Sequence, residues 1–210
     1  MQTLFDFSLI SFISLFVIVD PFGLIPPFLA MTVRHSAADR IRIARTASIT
    51  ACAILLFFLV LGGWLIQVME LKLSSFQIAG GIVLMIIGLD MLQARPSETR
   101  ATKEEEAEAL DKDSIAITPM AVPMLAGPGS ITAVLLFGNR AKTTAHTFAL
   151  GAVIVLVCLA THAILRYAAV HSARLSQISL KILTRLMGLF LTVISVQFIM
   201  TGLREATRLW

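Results

Sequence analysis

The sequence predicts an all-α integral membrane protein of six transmembrane helices, arranged as two inverted three-helix repeats with the first and fourth helices broken. Three observations predict it. Apolar residues make up 57% of the chain and charged residues only 14%, where a typical soluble domain is about 25% charged. Six apolar stretches each approach the roughly 20 residues that a helix needs to cross the hydrocarbon core. Six of the seven prolines fall in just two of those stretches.

Taken in order, residues 7–33 carry one charge, Asp20, and no basic residue precedes Arg34. No small-residue cleavage site follows this stretch, so it reads as a permanent helix and not as a cleaved signal. Residues 46–69 carry no charge, and residues 73–94 carry only Asp90, close to the end, where an interfacial position explains it. Residues 114–139 are again uncharged. Residues 143–165 hold His146 and His162 toward opposite ends, too far apart in height to share a metal. Residues 186–203 carry no charge. Backbone groups in lipid must be satisfied internally, so each stretch is a helix or a broken helix buried in protein. Gly62, Gly63, Gly80, Gly81 and Gly88 suit close helix contacts.

Basic residues set the orientation. The connections after the first, third and fifth stretches hold four Lys or Arg each, twelve in all, against five on the other side. Both termini are therefore expected outside the cytoplasm. Such short basic clusters between apolar runs argue against a nucleic-acid partner despite a net charge of +4. Cys52 and Cys158 lie in separate stretches with no CxxC pair, which suggests neither a disulfide framework nor a metal site. The longest connection, residues 95–113, is acidic and bounded by Pro96. It is expected to be a solvated cytoplasmic linker dividing residues 1–94 from residues 114–210.

Proline and glycine placement carries most of the information about function. Pro21, Pro26 and Pro27 stand in the first stretch, and Pro119, Pro123 and Pro128 in the fourth. Each removes a backbone donor and clashes with the preceding turn. Glycine accompanies both sites, as Asp20-Pro21-Phe22-Gly23 and as Gly127-Pro128-Gly129-Ser130. The two lie 107 residues apart (127 − 20), and so do Gly81 and Gly188 (188 − 81). One offset thus aligns the first helix with the fourth and the third with the sixth. Prolines in membrane helices also serve packing alone, but two breaks in register point to a transport site near the midplane.

Asp20-Pro21 has the form of an N-cap followed by a first-turn proline, which predicts a half-helix starting at Pro21. Gly127-Pro128 would start its counterpart from the opposite side. Free N–H groups at such ends take anionic groups, and carbonyls at the preceding ends take an ammonium. A small zwitterion such as an amino acid fits that pair of poles, with Gly23, Gly127 and Gly129 allowing close backbone approach. Three roles stand open for Asp20: a cap, a site for an ammonium or coupling cation, or a proton carrier. An ionised acid within a span costs roughly 2.5–3.5 kcal/mol on insertion scales.

These residues resemble the MarC family. The resemblance rests on Asp20-Pro21-Phe22-Gly23 with Ile25-Pro26, on the run from Pro119 through Pro123 to Gly127-Pro128-Gly129-Ser130, on Ile78-Ala79-Gly80-Gly81-Ile82, and on Arg185-Leu186-Met187-Gly188 with Gln197-Phe198. It extends over essentially the whole chain. Leu24 departs from it, because many members carry Asn there. The resemblance implies a multi-pass bacterial inner-membrane protein, related in fold to LysE-type exporters, that transports small neutral amino acids. It implies Asp20, Pro21, Phe22, Gly23, Gly127, Pro128, Gly129 and Ser130 as the binding region.

The sequence therefore leads us to expect secondary or passive transport by alternating access, with glycine- or alanine-like substrates and membrane lipid as partners. No phosphate-binding loop of the G-x-x-x-x-G-K-[ST] type occurs, and neither a cofactor, a metal nor enzyme activity is expected. A homo-oligomer is compatible with the pattern. A passive channel for small solutes, or a membrane thiol-redox carrier using Cys52 and Cys158, are the competing readings.

Overall fold

The computed structural model describes residues 3–93, 115–172 and 176–207. Among them the secondary structure is entirely helical. The acidic linker of residues 95–113 lies outside the described residues.

Helix α1, Leu4–Val19, opens on a capping box: the Thr3 hydroxyl accepts from the Asp6 N–H, and the Asp6 carboxylate accepts from the Thr3 N–H. It ends at Asp20, and after a turn over residues 21–24 the short helix α2 follows, Ile25–Met31. The 32-residue helix α3, Ala37–Val68, starts at Ser36, whose side chain accepts from the Asp39 N–H. It reaches well into the connection that the hydropathy pattern left outside the second span. Helix α4 runs Leu73–Leu92. A loosely wound segment, α5 (Ala116–Leu125), leads into α6, Pro128–Arg140. Two long helices complete the chain, α7 (Thr144–His171) and α8 (Gln177–Thr207).

The helices α3, α4, α7 and α8 are each long and apolar enough to cross a membrane, and α5 with α6, bent by 53°, makes a fifth span if counted as one. The sixth expected span is where sequence and structure part. Helix α1 has 16 residues, about 24 Å of rise against a core of about 30 Å. The chain breaks at Asp20 before that distance is covered. Outward faces are apolar: Val60 is 75% exposed and Phe148 76%. So large an apolar surface suits lipid and not water.

Packing runs mainly between the two halves of the chain. Helix α4 lies along α8, α3 packs on α7, α5 and α6, and α1 packs on α6 and α7. The α4–α8 seam is closest at glycine. A Cβ on Gly88 would stand 3.0 Å from the Gly188 carbonyl oxygen, and one on Gly81 would stand 3.0 Å from that of Ser195. Backbones this close exclude any larger residue. These two contacts exchange under the 107-residue offset, since 81 and 88 become 188 and 195. Across the halves, Arg40 joins the turn after α2 to α7: its guanidinium donates to the Thr32 and Val33 carbonyls at 3.0 and 3.3 Å and to the Ser172 hydroxyl at 3.0 Å.

Candidate functional site

Asp20 closes α1 in the left-handed region, φ 52° and ψ 62°, and is fully buried. Aspartate tolerates this conformation better than most side chains. Its Oδ1 accepts from the Gly23 N–H at 3.0 Å, and its own N–H donates to the Phe16 carbonyl at 3.0 Å. The carboxylate therefore does cap, and with the Leu24 N–H donating to the Asp20 carbonyl at 3.2 Å it closes a single turn from Pro21. The expected half-helix is corrected in extent: that turn does not continue as regular helix before Ile25. The cause is downstream: Pro26 and Pro27 have no N–H to return to the Phe22 and Gly23 carbonyls. Ile25 bonds instead to Phe22, three residues back, at 3.1 Å. A regular helix first becomes established at Ile25.

The turn itself is tightly filled. Pro21, Gly23 and Leu24 are buried, and Phe22 is half-buried with its ring edge-on to Phe16 at 5.9 Å. A Cβ on Gly23 would collide with the Asp20 carboxylate and with the Met91 side chain of α4.

The second break is built without an acid. Thr118 and Val122 have extended backbone, φ near −128° and −129°, inside an otherwise wound segment. Each precedes a proline, whose ring pushes the preceding residue out of the helical region. Ala126 then bonds five residues back to Ala121 at 2.9 Å, and Gly127 opens α6 with φ −82° and ψ 174°. No side chain caps α6. The Ser130 hydroxyl donates to the Leu125 carbonyl at 2.8 Å, bracing the first turn of α6 against the end of α5. Gly127, Gly129 and Ser130 are buried, whereas Pro128 is exposed and faces away. A Cβ on Gly127 would strike the Pro123 carbonyl, and one on Gly129 would strike the Leu84 side chain.

One narrow cleft, lined by Val19, Leu125, Ser48, Ala51, Leu55, Cys158 and Thr161, lies next to both breaks in sequence, and none of the eight expected binding residues lines it. Val19 precedes Asp20, and Leu125 is the carbonyl that Ser130 braces. Gly23 and Gly129 are not brought into contact. They rest against Met91 and Leu84 of α4, seven residues or about 10 Å apart along that helix. The cleft is too narrow in this conformation for a substrate-sized solute.

Polarity distinguishes the two sides. The first break offers the negative end of α1 with a buried carboxylate beside it, and the second offers the positive end of α6. The leading N–H groups of a helix have no partner within it, so α6 can donate to an anion there.

Sequence reasoning missed three features. Ser48 lines the cleft with a buried hydroxyl that has no hydrogen-bond partner. Gln77 on α4 is fully buried and neither its Oε1 nor its Nε2 has a partner. Nothing in the local sequence marks either residue. Cys158, expected away from the breaks, lies in the cleft, and it stands beside Cys52 of α3, both as free thiols. The pairing of α3 with α7 brings them together. His146 lies in the first turn of α7. Its Nδ1 lies 2.7 Å from the Thr143 hydroxyl, and its ring stands edge-on to Phe7 at 5.0 Å. No group of three or more His, Cys, Asp or Glu able to hold a metal occurs among the described residues.

A family model described as MarC family integral membrane protein matches residues 5–207. The UPF0056 membrane protein YhcE of Escherichia coli is 35% identical over 205 residues, covering 97% of this chain and 95% of the relative. A UPF0056 membrane protein of Methanocaldococcus jannaschii is 38% identical over 201 residues, covering 96% and 98%. The UPF0056 membrane protein YvbG of Bacillus subtilis is 34% identical over 202 residues, covering 96% of each. No solved structure matches the chain.

Proposed function

This chain belongs to the MarC family of integral membrane proteins, and on that premise we propose that it is a secondary or passive transporter of small neutral amino acids such as glycine and alanine. One observation supports the proposal: two proline-glycine breaks of opposite polarity flank, through Val19 and Leu125, a single narrow cleft. Asp20 and the carbonyl end of α1 take the substrate ammonium. The N–H groups of Gly129 and Ser130 take its carboxylate, while Gly23 and Gly127 keep the backbone free of side chains around it.

Residues 1–94 and 114–210 act as two inverted repeats of three helices, the first counted as α1 with α2. They are joined through the cytoplasmic linker 95–113. The exchange of the Gly88–Gly188 and Gly81–Ser195 contacts under one offset supports this reading. Rocking of one repeat on the other opens the cleft to each side in turn. The protein resides in a bacterial inner membrane with both termini periplasmic, and works without enzyme chemistry, cofactor or nucleic acid.

The test is uptake of radiolabelled glycine and alanine into liposomes holding the purified protein, with and without an imposed pH gradient. Saturable uptake that disappears in Gly129→Leu is expected. Uptake that rises linearly without saturation would support the channel reading instead, and no uptake under any gradient would overturn the substrate assignment.

A further inference from the structure

Ser48 is the polar group in the cleft that the fold leaves unused. It is 4% exposed, lies on α3, and its hydroxyl bonds to nothing. A serine or threonine within a helix usually donates to the carbonyl four residues back. Across the cleft Thr161 does so, to Val157 at 2.8 Å. Thr32 and Thr192 do the same, to Phe28 at 2.6 Å and Gly188 at 2.8 Å. Ser48 forgoes that bond, and the Ala44 carbonyl four residues before it faces the His162 ring of α7 instead. A buried hydroxyl without a partner is costly to the fold, and buried polar groups in native proteins are overwhelmingly paired. In a wall shared with Val19 and Leu125, the residues that flank the two breaks, the missing partner has an evident source.

We infer that Ser48 hydrogen-bonds the carboxylate of the transported solute, and that Ala51 and Cys158 beside it limit that solute to a small side chain or none. The inference rests on the transport reading above and adds to it a side-chain contact and a basis for selectivity. Ala51 is one turn from Ser48 on the same face of α3 and is itself 1% exposed. Ala51 lines the cleft together with Ser48, so added methylenes there compete with the solute for space.

The experiment measures glycine and alanine uptake in proteoliposomes for the parent chain, Ser48→Ala, Ser48→Cys and Ala51→Leu, together with the thermal unfolding of each in detergent. Ser48→Ala is expected to raise the KM for glycine about tenfold, with a melting temperature equal to or above that of the parent. A purely structural serine would lose stability instead. Ser48→Cys, a weaker donor of similar size, is expected to fall between parent and alanine variant. Ala51→Leu is expected to lose alanine uptake before glycine uptake. An unchanged KM in Ser48→Ala alongside normal parental uptake overturns this inference alone. So does a melting temperature lowered by several degrees with KM unmoved. Absence of glycine and alanine uptake by the parent chain overturns the transport reading, and this inference with it.

Discussion

The two breaks reach similar irregularity through different chemistry. At the first, a side chain does the work: the Asp20 carboxylate caps Gly23 and tolerates a left-handed backbone at the end of α1. At the second, the backbone does it. Two residues preceding prolines are extended, Gly127 opens α6 without a side-chain cap, and the Ser130 hydroxyl braces the far side. An acid stands at a helix end in one and an uncapped N-terminus stands in the other. A symmetric pair would suit an ion of one sign, whereas this asymmetric pair suits a molecule that carries both.

The largest expected effect separates the breaks by stability. A side chain at Gly127 meets the Pro123 carbonyl, a backbone group that cannot swing aside. Gly127→Leu should therefore destabilise by about 3 kcal/mol or more, seen as a large drop in melting temperature. Gly23→Ala comes next, because its methyl displaces the Asp20 carboxylate and with it the cap. A loss of about 2 kcal/mol is expected, again by thermal unfolding, and a neutral result would mean that the cap does not hold the first break.

Gly129→Ala sharpens the contrast. Its methyl meets only the Leu84 side chain, which can move, so stability should fall by about 1 kcal/mol while glycine affinity falls much more steeply. Ser130→Ala removes one neutral hydrogen bond, worth about 1 kcal/mol, and should loosen α5 against α6 enough to increase amide exchange at Leu125 and Ala126. Asp20→Asn should change stability least, by under about 0.5 kcal/mol, since asparagine caps nearly as well and also tolerates the left-handed region. Affinity for glycine should nevertheless drop about tenfold. Retained affinity would mean that Asp20 is a cap and nothing more.

Much of this arrangement was legible in the sequence because it depends on local chemistry. The long spans follow from uninterrupted apolar runs, and both breaks follow from where proline removes donors. The Ser36–Asp39 cap was available as an unused signal for the early start of α3, as was the residue-before-proline rule for the extended backbone at Thr118 and Val122. Asp-Pro at 20–21 marked the cap and its single turn; only the prolines at 26 and 27, read together with it, show that regular helix waits until Ile25. Ser48, Gln77 and the neighbouring Cys52 and Cys158 could not be read locally. Their significance arises from helices far apart in sequence meeting, as α3 meets α7. The eight residues proposed for binding divide in the same way: Pro128 is exposed, and the glycines 23 and 129 rest against Met91 and Leu84, seven residues apart on α4.

The claim that most needs testing is that both breaks contact one solute. The direct measurement is a double-mutant cycle of glycine binding by calorimetry, using Asp20→Asn, Gly129→Ala and their combination in purified protein. Two independent sites would give effects that add within roughly 0.5 kcal/mol. A single zwitterion held at both ends predicts a coupling energy of about 1 kcal/mol or more. Coupling of that size supports one shared site between the breaks, and additivity would contradict it.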